Sequence, residues 1–302
     1  MKKIRSFFAA FFSDKKRIVL FAVILAAVLA GVAAGLSFLL PKTVTGSWEL
    51  TVNPEAQVAE DTPVTDTDRV YYVFDKPGRD GKGSWKICYD GGVEYYEYTL
   101  LKSNGVRKIN LGSADLEYRI TGSKLFGTAK MTFVYPATTD PETGEKKEAQ
   151  EYVLEQRKAP DYSKMTYADF GTDVKLKGDW ATNERSLTYY IYSLTYKETV
   201  SFADNGIMII HYESEQLTLD RNLYYAYTTD GKTLTFSPVL DRETKYSVSY
   251  AFDENGNLTF TDDTTTESVF ADAFFGDFTY YPPDKLPDPP TNADVSDTQP
   301  VE

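Results

Sequence analysis

The sequence predicts an all-β protein: two tandem eight-stranded antiparallel barrels, preceded by one transmembrane helix and followed by a disordered tail. Three observations predict it. A Gly-x-Trp core occurs in "VTGSWEL" from Val44 and again in "LKGDWAT" from Leu176, 132 residues later. Each copy opens a long run of short segments in which apolar and polar residues alternate between turn residues. An unbroken apolar stretch lies before the first copy, and a stretch rich in Pro and Asp lies after the second.

The apolar stretch, "IVLFAVILAAVLAGVAAGLSFLL", covers residues 18–40. At about 1.5 Å per residue it reaches roughly 34 Å as a helix, enough to cross a hydrocarbon core of about 30 Å. A cleavable signal peptide has an apolar region of only about 7–15 residues. The span is therefore expected to stay in place. Residues 1–17 carry Lys2, Lys3, Arg5, Lys15, Lys16 and Arg17 against Asp14, a net +5, whereas only Lys42 stands close to the other end. The positive-inside rule then puts residues 1–17 in the cytoplasm as a basic segment and everything after Pro41 outside the cell membrane.

The whole chain carries −13; removing +5 for residues 1–17 and zero for 18–40 leaves −18 on residues 41–302. Such an acidic ectodomain repels nucleic acid and anionic lipid, so neither is expected as a main partner. Cys88 is the only cysteine, which excludes an intrachain disulfide and suits a bacterial cell surface better than an animal secretory protein.

Strands are expected in the first copy (residues 44–158) near "GSWELTV", "RVYYVFD", "GSWKICY", "VEYYEYTL", "VRKINLG", "DLEYRI", "LFGTAKMTFVY" and "EYVLEQR". The second (174–281) parallels it with "GDWAT", "ETVSF", "GIMIIHYE", "LYYAYT", "KTLTFS", "KYSVSYAF", "NLTFT" and "FGDFTYY". Gly, Asn and Asp in "YDGG", "KSNG", "TTDG" and "DENG" supply the positive φ of tight hairpins. Both copies place a long polar connection after the first strand, at Asn53–Asp68 and at Thr182–Tyr196. A linker is expected over 159–173, with a helical turn in "SKMTYADF", and a short helix at "ESVFADAFF" before the last strand. Residues 282–302 hold too much Pro and Asp to bury a core and are expected to be a disordered acidic tail.

Eight hairpin-linked strands remove their edges by closing into a barrel, although open β-sandwiches would use the same number. At this point Gly46-Ser47-Trp48 and Gly178-Asp179-Trp180 match the Gly-x-Trp of the lipocalin-like (calycin) families. Strings such as "YEYTLLKSNGVRKINLG" and "YYAYTTDGKTLTFS" resemble the short bacterial lipocalin-like domains most. The resemblance implies barrels with Gly46, Trp48, Gly178 and Trp180 as a structural motif, and a lid over the ligand entrance formed by the connection after the first strand. The chain departs from secreted lipocalins in lacking a disulfide and a clear C-terminal helix.

Catalytic signatures are sparse. His211 is the only histidine, no Gly-x-Ser-x-Gly elbow or phosphate-cradling glycine loop occurs, and a zinc site of the usual kind would have only Cys88 and His211 to draw on. "DENGN" begins like a calcium loop, but Thr264 stands where the twelfth-position glutamate belongs, and a hairpin turn explains the same residues. No catalytic residue, metal or cofactor is therefore expected. Tyr-Tyr pairs at 71–72, 95–96, 189–190, 224–225 and 280–281 should put one ring inside and one outside, the outer ones serving either as structure or as platforms for sugars. Tyr189, Tyr190, Tyr192 and Tyr196, in the second long connection, are the candidate ligand-binding residues. The expected function is non-enzymatic binding of a small apolar ligand, a cell-wall glycan or a surface protein. A cell-envelope enzyme or assembly factor using carboxylates, and a plain spacer, are the alternatives.

Overall fold

The computed structural model describes residues 43–54, 65–103, 105–112, 114–123, 127–139, 146–167, 173–189, 192–216, 218–261 and 279–287. The first copy comprises β1 (Gly46–Val52), β2 (Tyr71–Phe74), β3 (Lys82–Tyr89), β4 (Gly92–Ser103), β5 (Val106–Asn110), β6 (Asp115–Thr121) and β7 (Lys130–Tyr135). A small hairpin of β8 (Thr138–Thr139) and β9 (Lys146–Lys147) follows, and then β10 (Gln150–Gln156). Strands β1 to β7 pair each with the next, β7 pairs with β10, and β10 returns to β1 with Trp48 opposite Gln156 and Leu50 opposite Leu154. The result is a closed eight-stranded antiparallel barrel, and closure pairs away most of the strand edges.

Alternation dictates what fills it. In β6, Leu116, Tyr118 and Ile120 are buried and their neighbours exposed. The interior is crowded with rings: Trp85 stacks on Tyr72 at 5.6 Å, on Phe74 at 5.5 Å and on Tyr96 at 5.1 Å, while Tyr98 meets Phe74 edge-on. Trp48, fully buried, belongs to the same cluster at the end where β1 begins. The turn between β3 and β4 is the two-residue Asp90-Gly91, both with positive φ (45° and 68°), the twist that two-residue hairpins require.

The second copy repeats this order. Its strands are β11 (Gly178–Ala181), β12 (Arg185–Tyr189), β13 (Tyr192–Phe202), β14 (Ile207–Ser214), β15 (Leu219–Thr229), β16 (Thr233–Pro238), β17 (Tyr246–Phe252), β18 (Leu258–Thr261) and β19 (Thr279–Tyr280). Pairing runs from β11 to β13 and then strand by strand to β19, and a single bridge joins Ala181 to Tyr281. Trp180, Phe202, Tyr225, Phe236, Phe260 and Tyr280 contribute to its core.

The two units meet at the start of β4, ahead of Thr99–Ser103, where β5 pairs with it. Gly92, Val93 and Glu94 of β4 pair with Leu223, Asn222 and Arg221 of β15. A third apolar cluster forms around this seam from Cys88, Val93, Tyr162, Ile207, Tyr224 and Val239, with Tyr71 and Tyr95 packed against it. The Tyr-Tyr pairs explain much of it. Tyr72, Tyr96 and Tyr225 point into the two cores, and their neighbours Tyr71, Tyr95 and Tyr224 cover the seam. Tyr224 is buried between the units, and Tyr71 and Tyr95 are half-buried against it, so all three outer rings serve the seam.

Several expectations need correction. Thr182–Tyr196 is not a polar connection: β12 and the start of β13 form an antiparallel hairpin, with Arg185 opposite Tyr196. The strand sought from Leu125 begins at Lys130, and that sought from Leu223 begins at Leu219. Residues 168–170 lie outside the described residues, and the helical turn expected in "SKMTYADF" is a single 3-10 turn at Tyr162–Lys164. The expected tail opens with another, Pro283–Lys285. Residues 1–17, 18–40 and 288–302 and the helix sought at "ESVFADAFF" lie outside the described residues. Among the described residues, no helix is long and apolar enough to cross a membrane.

Candidate functional site at the barrel mouths

One end of the first barrel is plugged and the other is open. At the open end β1 finishes, β2 starts and the β5–β6 turn projects. There Leu50, Tyr72, Phe133, Tyr135, Tyr152 and Leu154, with Asn53 and Leu111, line a cavity of about 320 Å³. Register builds it: β7 and β10 pair Phe133 with Tyr152 and Met131 with Leu154. The Tyr135 and Tyr152 rings lie 4.9 Å apart, tilted by 58°. Tyr72 forms the floor, held by Trp85 below and Phe133 at 6.5 Å beside it. Burial pushes its hydroxyl up to about 12, so it faces a ligand as a neutral donor. The aromatic core beneath leaves the cavity shallow.

Beside this mouth sits a carboxylate with three partners. Glu94 accepts 2.5 Å hydrogen bonds from the Tyr89 and Tyr96 hydroxyls, and Arg221 of the second unit approaches to 3.5 Å while lying over the Tyr89 ring. Burial, and then the hydrogen bond to Glu94, push the Tyr89 hydroxyl up to about 12. These bonds satisfy the carboxylate and link β3 and β4 to the second unit.

The second unit places a cavity of about 300 Å³ where β13 starts and the β14–β15 turn projects, lined by Glu184, Tyr196, Lys197, Glu213, Ser214 and Gln216 among others. Deeper in that core, Glu198 is buried and accepts a 2.5 Å hydrogen bond from the Tyr280 hydroxyl. A cleft of about 610 Å³ lies between the units, walled by Tyr95, Tyr96, Leu111, Leu219, Glu97 and Glu213.

Of the four candidate tyrosines, Tyr196 lines the second mouth, with its ring 6.3 Å from Tyr212. Tyr189 and Tyr192 pair with each other across the β12–β13 hairpin, while their side chains, and Tyr190 altogether, lie outside the described residues. Residues 55–64 of the first long connection also lie outside. Sequence reasoning missed Tyr135 and Tyr152, which have no tyrosine neighbours. Their signal was the apolar alternation of "KMTFVY" and "QEYVLEQ" at one end of adjacent strands.

The residues screened for chemistry have structural surroundings. Cys88 is buried in the seam, where burial raises its thiol to about 11. His211 lies 3.0 Å from Asp220 on the outer face of β14. Asp253 accepts from the backbone of Asn255 and Asn257 and from the Asn257 side chain, which makes "DENGN" a turn. Among the described residues no three His, Cys, Asp or Glu side chains are grouped to hold a metal ion.

No protein-family model, curated protein or solved structure matches this chain.

Proposed function

We propose that this is a membrane-anchored, extracytoplasmic, non-enzymatic binding protein made of two lipocalin-like barrels, with its principal ligand contact at the mouth of the first. The apolar residues 18–40 and their basic flank support the anchor and its orientation. The repeated strand order and the Ala181–Tyr281 bridge support reading the second unit as a barrel of the same kind. The observation that carries the binding role is the aromatic cavity above a packed floor. Ligand sites are concave, mostly apolar and supplied with a few polar groups, and about 320 Å³ stands at the small end of their range of roughly 300–1,000 Å³. Such a mouth holds one ring or a short apolar group and has no room for a long lipid chain.

Native mass spectrometry of the full chain, extracted from its own membranes in mild detergent, tests this. The expected result is an added mass, that of a small ligand or of a bound peptide or partner protein, lost on activation and absent from a Tyr135→Ala/Tyr152→Ala double variant. A bare wild-type chain, or a ligand that the double variant retains, would overturn the assignment.

A further inference from the structure

The three cavities adjoin one another. Leu111 belongs to both the first mouth and the central cleft, and Glu213, Ser214 and Glu215 belong to both the cleft and the second mouth. We read them as one groove that leads from Tyr135 and Tyr152, past Leu111, Tyr95 and Leu219, to Tyr196. Its walls are aromatic and aliphatic along the way, and its charge is mostly negative. Glu97, Glu184, Glu213, Glu215 and Asp220 line it, and Lys197 is the only cation among its lining residues. These groups are on strand faces and a hairpin turn with exposed side chains, except that Asp220 also faces His211 at 3.0 Å.

We propose that this groove binds an extended basic peptide segment of a partner protein, with one aromatic side chain seated in the first mouth and its Lys or Arg residues along the acidic wall. The proposal rests on the binding reading above and names the class of partner. Two features favour a peptide. An extended chain presents alternate side chains to a surface, which suits a groove with a pocket at one end and charges spaced beyond it. Complementary charge steers such a partner and selects against acidic ones, and residues 41–302 reinforce the field with a net −18 (−13 less +5 for residues 1–17). A neutral glycan would gain nothing from this one-sided charge.

The test measures binding of short peptides to the full chain in neutral detergent micelles, by calorimetry. Three probes are used: a peptide alternating lysine and tryptophan, one with glutamine in place of each lysine, and one with glutamate. The lysine peptide is expected to bind, the glutamate peptide not, and the affinity is expected to fall steeply towards about 1 M salt, where the screening length is about 3 Å. Glu213→Gln/Glu215→Gln, both exposed and outside the cores, should weaken lysine-peptide binding roughly three- to tenfold, as two surface ion pairs would. Equal binding of the glutamine peptide, lost in Tyr152→Ala, would overturn the basic-peptide proposal and leave the binding role standing. A neutral wall oligosaccharide that bound while none of the peptides did would likewise overturn it, and so would an unaltered affinity in the double variant.

Discussion

The indole Nε1 of Trp48 donates a 2.6 Å hydrogen bond to the carbonyl of Val44, and 132 residues on, Trp180 does the same to Leu176 at 2.7 Å. All four residues are buried. Between donor and acceptor stand Gly46 and Gly178, with φ of +121° and +110°, where an L side chain would strain the backbone. The chain thus turns on the glycine, folds the indole back under the preceding residue and closes one end of each core. This accounts for the repeated Gly-x-Trp in terms of a single hydrogen bond and a single backbone conformation.

Replacing Trp48 by Phe keeps a ring but leaves the buried Val44 carbonyl without its donor. A loss of about 1–3 kcal/mol is expected in denaturant unfolding, and about 3–5 kcal/mol for Trp48→Ala. Trp180→Phe should behave alike, since its partner geometry is alike.

Gly122→Ala should be among the most damaging glycine changes. An added Cβ would come within 2.2 Å of the Thr128 carbonyl oxygen, and φ there is +70°. Backbone cannot yield as a side-chain tip can, so a loss of at least about 2 kcal/mol is expected by the same unfolding measurement.

Cys88 reports on the seam. With its thiol raised by burial to about 11 from an ordinary 9.0, the thiolate fraction alone slows alkylation on the order of a hundredfold at neutral pH. Arg221→Ala removes the contacts with Glu94 and Tyr89 and should speed the reaction severalfold while the cores stay folded. An unchanged rate would mean that the seam holds without Arg221.

Alkali should unfold the protein at a pH set by its buried tyrosines. Burial raises Tyr72 and Tyr98 to about 12 from 10.0. A folded value above the unfolded one means their contribution is intact below pH 10. It is lost as pH climbs from 10 towards 12, because the unfolded chain releases those protons first. Melting temperature against pH should be flat up to about 10 and fall beyond it.

Much of this fold was legible because turns and alternation are local. "DLEYRI" alternates cleanly and "YDGG" dictates its hairpin, so the strands of the first barrel stand close to where the sequence puts them. "ERSLTYYIYSLTY" misled because it contains no Gly, Asn or Pro to mark a turn, so a hairpin reads as an aromatic connection. The seam was hidden for a different reason. Tyr71, Tyr95 and Tyr224 have the residue type that any strand favours, and nothing local distinguishes an outer ring facing solvent from one facing another unit. Likewise Tyr135 and Tyr152 become a site only through the β7–β10 register, a pairing made across the hairpin of β8 and β9.

The central claim is that the first barrel is closed and packed at its base and open to a ligand only at its mouth. Methyl-labelled full-length protein in detergent micelles, titrated with indole and followed by NMR, tests it most directly. Shifts are expected only at the methyls of Leu50, Leu111 and Leu154, which line the mouth, with Ile109, Leu116 and Ile120 unmoved in the core. Shifts spread through the core would mean a hollow barrel, and no shift at the mouth would mean that the cavity is not a binding site; either result would overturn the assignment of the mouth.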